Sequence, residues 1–174
     1  MVSSESLQNS PKRASFRLSS ARLAAVQALY EMDLSGAPTD LVLASFMESR
    51  WRTVTLRDPD GKPEESPQAK LTDPDPEFLG AIVWGTCANL SRIDDIIQSH
   101  LSADWTVDRL HALLRAILRA GTFEILERTD VPARAVVTEY RDLAFAFVEE
   151  KEASFANGVI FRVACAFRPD EFAD

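Results

Sequence analysis

The feature that most constrains this chain is the spacing of its apolar residues, which recur every three or four positions and almost never every second one. In an α-helix that spacing lines one face with apolar side chains, whereas a half-buried strand needs strict alternation. Leu23, Val26, Leu29 and Tyr30 form the first stripe; Ser19 and Ser20 are candidate N-caps for a helix that ends at Leu34, before Gly36 and Pro38. A second helix is expected from Asp40 to Thr53. The longest is expected from Pro76 to Leu101, where Phe78, Ile82, Val83, Leu90, Ile93 and Ile97 share a face and Pro76 suits a first turn. Val107 to Leu126 is a further helical run, in which Gly121 is a candidate junction between two helices. Asp130 is the candidate cap for the stripe of Val136, Tyr140 and Phe147, and Ser154 the candidate start of a last helix that Pro169 ends. The reading is an all-α fold of about six or seven helices in packed bundles.

At 174 residues and 46% hydrophobic, the chain can bury one sizeable core, so residues 19–174 are expected to form a single domain. Residues 1–18 are rich in serine and basic side chains and poor in large apolar groups, which predicts a mobile arm. Residues 55–75, with Pro59, Gly61, Pro63 and Pro67, read as a long loop. The net charge of −8 opposes coating of nucleic acid by bulk electrostatics, but it is unevenly spread. Residues 1–30 hold Lys12, Arg13, Arg17 and Arg22 against Glu5, a balance of +3 that leaves −11 for the rest. Such a basic head suits phosphate contact, and equally occurs on proteins that bind no nucleic acid.

Catalytic chemistry finds no footing. His100 and His111 are the only histidines, Cys87 and Cys165 lie far apart, and neither type makes a metal-ligand cluster or a disulfide framework. Adjacent carboxylates such as Asp94 and Asp95 point about 100° apart on a helix and cannot share a proton. The glycines form no phosphate loop. No catalytic residue, metal or cofactor is assigned, and without a long apolar run or signal peptide the expectation is a cytoplasmic protein that does not enter membranes. Phe155-Ala156-Asn157-Gly158, at the expected start of the last helix, reads either as a turn fixed by a packed phenylalanine or as free backbone donors for an anion.

Five blocks carry a resemblance. Ala21-Arg22-Leu23-Ala24-Ala25-Val26-Gln27-Ala28-Leu29-Tyr30 resembles the A-R-x-x-A-V-Q-A-L-Y hallmark of NusB proteins, and Asn89-Leu90-Ser91-Arg92-Ile93-Asp94 is similar to their N-x-x-x-[IL]-D stretch. Ala116-Ile117-Leu118-Arg119 with Glu124-Ile125-Leu126, then Asp130-Val131-Pro132 with Val136 to Tyr140, and finally Phe155-Ala156-Asn157-Gly158-Val159-Ile160 follow in the family's order. The resemblance implies a helical fold of two bundles and a non-enzymatic transcription antitermination factor. Such a factor binds the boxA element of ribosomal-RNA transcripts with the ribosomal protein NusE and joins the antitermination complex on RNA polymerase.

Carried over residue by residue, the resemblance makes Arg22 the first candidate phosphate contact, since a guanidinium stays charged and can grip two oxygens. Family members often have consecutive arginines where this chain has Leu18, Ser19 and Ser20, so Arg17, Arg13 and Lys12 are the candidates to supply the missing charge. Phe155 is a candidate base-stacking residue and Asn157 a candidate reader of a base edge. Gln27, one turn and one residue after Arg22, is a weaker RNA candidate. Tyr30 either faces the protein partner or lies in the core. The alternatives are a NusB-like RNA-binding module of rRNA-modification machinery, as fused to rRNA methyltransferases, and a protein-interaction scaffold without RNA contact. The polar end Asp170 to Asp174 favours a whole factor over a module, and both monomer and homodimer stay open.

Overall fold

The computed structural model describes residues 11–48 and 72–173. Among them are seven α-helices and no strand: α1 Pro11–Ser35, α2 Thr39–Glu48, α3 Pro76–Ala88, α4 Leu90–His100, α5 Ala112–Glu127, α6 Ala133–Phe147 and α7 Glu150–Phe167. Single 3-10 turns lie at Val107–Arg109 and Pro169–Glu171. The all-α expectation holds. α5 is the shared wall of two bundles, packed on one side by α1 and α3 and on the other by α4, α6 and α7, while α2 closes the first bundle against α1 and α3.

The sequence of α5 explains that role. Ala116, Ala120 and Gly121 are buried and small enough to let neighbours approach, and Ile117, Leu118 and Ile125 are wholly buried. Full burial of one such aliphatic side chain stabilises by about 1.5–3 kcal/mol. Gly121 is therefore no junction: α5 runs through it, and a Cβ there would stand 3.0 Å from Ile160 Cδ1 and 3.2 Å from the Tyr140 ring. The glycine admits a close helix crossing.

Several boundaries differ from expectation, and non-local partners decide the starts of α1 and α6. The first helix starts at Pro11 rather than at Ser19, so much of the expected arm is helical. Leu18 packs against the core, and Arg17 is tied to the start of α3 twice: its carbonyl accepts from Asp75 N at 3.2 Å and its guanidinium pairs with the Asp75 carboxylate at 3.6 Å. Residues 1–10, and most of the 55–75 loop, lie outside the described residues. The expected end of α1 is found, with Gly36 at φ 67° after the last turn. α2 reaches Glu48, and the rest of its expected span is outside the described residues.

Pro76 does begin α3, with the Asp75 carboxylate accepting from Phe78 N at 2.9 Å. The single long helix expected from 76 to 101 is broken at Asn89. Its side-chain amide and backbone N–H both donate to the Gly85 carbonyl, at 2.9 and 3.2 Å, an asparagine competing with the helical ladder. α1 is instead the longest described helix. Val107 belongs to a 3-10 turn before α5. Asp130 does not cap α6; it forms a forked pair with Arg128 at 2.9 and 2.8 Å, and the Ala133 N–H is taken by Glu171 from beyond α7 at 2.6 Å. α7 starts at Glu150, four residues before Ser154, which puts Phe155 to Gly158 in mid-helix. Their backbone N–H groups are spent on the helix, so the anion-cradle reading of that motif falls away.

Candidate nucleic-acid interface

Two ion pairs fix the direction of α1. Arg22 meets Glu124 near the end of α5, and Asp33 meets Arg115 and Arg119 near its beginning, so α1 runs antiparallel to α5. The basic start of α1 therefore sits at the C-terminal end of α5. Lys12 is exposed there; Arg13 shares the turn, with its side chain outside the described residues. The Arg17 side chain is 43% exposed despite its contact with Asp75. Phe16, which the sequence reading did not single out, is 61% exposed on the same face as Lys12, one turn on. An exposed phenylalanine between cationic side chains is a combination that single strands of nucleic acid use. The sequence signal was its place inside the basic run.

Arg22 is placed differently from the expectation. The residue is 3% exposed, and its guanidinium grips the fully buried Glu124: Nε donates to Oε1 and Oε2 at 3.2 and 3.0 Å, and a terminal nitrogen reaches Oε1 at 2.5 Å. Its other terminal nitrogen lies 3.4 Å from Glu139 on α6, and its plane stacks over Phe78 at 5.0 Å, where Arg128 also stacks at 4.6 Å. Burial works against its charge, but the hydrogen bonds and charge of Glu124 outweigh that and hold its pKa above the ordinary arginine value. Beside it the buried Tyr140 hydroxyl is pushed well above its usual pKa by burial and by Glu124. Arg22 ties α1, α5 and α6 together, and its donors face carboxylates rather than solvent. A phosphate contact through it would require breaking that pair.

Gln27 lies about 140° round α1 from Arg22, so it does not join the arginines. It lines a shallow groove of about 440 Å³ between α1 and α2 with Tyr30, Glu31, Leu34, Ser35 and Phe46. Its Oε1 is buried with no hydrogen-bond partner among the described residues. Tyr30 is half-buried at this groove, packed against the core by one side, so the core reading of it holds in part, while its open side lines the groove.

Phe155 lies elsewhere. It packs on Trp105 with ring centroids 6.1 Å apart, and Trp105 precedes the 3-10 turn that leads into the N-terminus of α5. Arg168, just past α7, donates to the Arg128 carbonyl, so α7 ends where α5 ends and Phe155 lies back toward the start of α5. The basic turn of α1 and Phe155 are thus toward opposite ends of α5, a helix about 24 Å long. Asn157 points about 200° round α7 from Phe155, so the two do not address one base. Among the described residues no group of His, Cys, Asp and Glu could hold a metal ion, and no described helix is long and apolar enough to cross a membrane.

The family model that matches residues 19–164 is that of the NusB family. The chain belongs to the NusB family. The transcription antitermination protein NusB of Rhodospirillum rubrum is 42% identical over 172 residues, covering 94% of this chain and 93% of the relative. That of Nitrobacter hamburgensis is also 42% identical, over 166 residues, covering 95% and 96%. Among solved structures, NusB of T. maritima superposes with a TM-score of 0.68 at 23% identity, over 94% of this chain and 98% of that one. A crystal structure of the antitermination factors NusB and NusE in complex with dsRNA matches with a TM-score of 0.66 at 25% identity, over 88% of this chain and 98% of that one. The hallmark arginine of this NusB-family chain, then, is the buried Arg22.

Proposed function

We propose that this chain is a transcription antitermination factor: it binds the boxA element of ribosomal-RNA transcripts together with NusE, joins the complex on RNA polymerase, and opposes premature termination in the cytoplasm. The observation that carries this reading is the match, along 94% of the chain, to relatives that are transcription antitermination proteins. The solved complex of NusB, NusE and dsRNA supports the choice of partners.

At residue level the outer cations are the RNA contacts. Lys12 and Arg17 present charge at the N-terminal end of α1, and Phe16 offers a ring between them, with Arg13 next to Lys12 in sequence. Arg22 holds the helix that carries them. Gln27 and Tyr30 belong to the α1/α2 groove, which we assign to the protein partner because Tyr30 offers an amphipathic ring there. The acidic remainder of the chain complements a basic ribosomal protein, which brings positive charge to the RNA in turn.

The test is fluorescence anisotropy with boxA RNA and a scrambled RNA, across salt and with and without NusE. The expected result is preference for boxA, tightening with NusE, weakening with salt, and a salt slope about one unit shallower for Arg17→Ala. NusE binding with no RNA binding under any condition would refute the RNA role and leave a protein-interaction scaffold.

A further inference from the structure

Arg17, assigned above to the RNA, already faces an anion of its own chain. A terminal nitrogen of its guanidinium stands 3.6 Å from Asp75 Oδ2, and the two side chains are 43% and 32% exposed. At that separation the charges attract without a hydrogen bond. The residues also meet through their backbones, where the Asp75 N–H donates to the Arg17 carbonyl at 3.2 Å, a bond that depends on neither side chain.

The Asp75 carboxylate has two tasks. Oδ1 accepts from Phe78 N at 2.9 Å and caps α3, while Oδ2 faces Arg17. The cap fixes the carboxylate in place. The guanidinium is the looser partner, because α1 is held without it: by the backbone bond to Asp75, by Leu18 packed on the core, and by the buried pair of Arg22 and Glu124. Arg17 can therefore turn its charge outward while the helix stays seated.

A carboxylate oxygen and a phosphate oxygen offer a guanidinium the same kind of bond, and phosphate offers the fork that a 3.6 Å contact lacks. An ion pair this exposed contributes little, so phosphate can displace it. The displaced carboxylate does not leave, since Phe78 N still holds it, and it then lies beside the incoming phosphate as a like charge.

We propose that Asp75 is a competitor of RNA built into the fold: in the free protein its carboxylate occupies the place on Arg17 that a backbone phosphate takes in the complex, and it lowers RNA affinity by doing so. The inference rests on the RNA-binding reading above and adds to it a residue that acts through Arg17. A chain of net charge −8 thus restrains one of the few cations that attract RNA. Binding then leans on positive charge supplied by a partner.

Asp75→Asn separates the two tasks, because asparagine caps a helix about as well as aspartate and still presents an acceptor to Phe78 N, but carries no charge. The full chain, with NusE present, is titrated into a labelled boxA strand of about 12 nucleotides, a length within the usual single-strand site sizes, and binding is read by anisotropy. Asp75→Asn is expected to bind about threefold tighter, with a salt slope steeper by up to about one unit. Glu77→Gln, which removes the same charge two residues along, is expected to change affinity by less than about 1.5-fold. In an Arg17→Ala background the gain from Asp75→Asn should shrink to the size of that control. Urea unfolding of each variant separates changed binding from changed fold.

Binding by Asp75→Asn no tighter than by Glu77→Gln, or a gain that survives Arg17→Ala in full, overturns this inference and leaves the proposed function standing. Weaker binding by a normally stable Asp75→Asn makes the carboxylate a support that aims Arg17 at the RNA, and also overturns it. No RNA binding by any form, the native chain included, overturns both.

Discussion

α1 is bolted to α5 at two places, and the bolts are built differently. At one end Arg22 and Glu124 are both buried, with side chains 4% and 0% exposed, and Glu139 and Phe78 complete the enclosure. At the other end Asp33 bridges Arg115 and Arg119, which reaches on to Asp94 of α4, and these four side chains are 12–26% exposed. Water reaches every member of the second cluster, whereas at the first it reaches Glu139 but not the Arg22–Glu124 pair itself. A buried pair gains little net stability over an apolar substitute but is costly to halve, whereas a wetter network tolerates the loss of a member. The inner bolt therefore specifies how α1 seats, and the outer one adjusts how firmly.

The largest effect is expected from halving the inner pair. Arg22→Ala leaves Glu124 buried without its partner and should cost about 3–5 kcal/mol in urea unfolding, a large share of the stability of a domain this size. Replacing the pair together, Arg22→Met with Glu124→Leu, should recover most of that loss. If the single and double variants are equally unstable, the cost lies in packing rather than in an orphaned charge.

Asp33→Ala at the outer cluster should cost about 1 kcal/mol, because water screens a cluster of this exposure. Raising salt should shrink that difference and leave the Arg22→Ala cost almost unchanged. Equal salt dependence at both sites would erase the distinction between them.

The smallest effect is a pH dependence at the outer cluster. Burial opposes the charge on Asp33, but hydrogen bonds and charge from Arg115 and Arg119 prevail and hold its pKa below the ordinary carboxylate value. A carboxylate with a depressed folded-state pKa contributes stability that is fully present above its unfolded pKa, near 3.9, and is lost as pH falls toward the folded value. Urea midpoints followed downward from about pH 5 should therefore fall less steeply for Asp33→Asn than for the native chain. Parallel slopes would mean that Asp33 titrates as it does in the unfolded chain.

How much was legible in the sequence follows the same line between local and distant causes. The helices, the end of α1 at Gly36 and the start of α3 at Pro76 were legible because apolar period and capping residues act over a few positions. The starts of α1 and α6 were not, because Asp75, Glu171 and the core against which Leu18 packs come from elsewhere in the chain, and the break at Asn89, though local, turns on a hydrogen bond to Gly85 that apolar period does not report. The partner of Arg22 lies 102 residues away, yet the periodicity held a warning: Leu18, Ala25, Val26 and Leu29 share its face of α1, and an arginine on an apolar stripe is turned inward. Similarly, Phe155 was legible as a candidate from its motif, but its contact with Trp105 was not, since only folding brings the connection that holds Trp105 onto α7.

The central claim is that Arg22 seats α1 while the cations outside it meet RNA. The direct measurement is boxA affinity for the folded Arg22→Met, Glu124→Leu double variant beside Arg17→Ala. The account predicts that the double variant keeps native affinity within about twofold, as a phosphate contact elsewhere would allow, while Arg17→Ala weakens binding and flattens its salt dependence. A folded double variant that loses affinity and salt slope, next to an Arg17→Ala that loses neither, would show that Arg22 itself meets the phosphate and that the buried pair opens to let it.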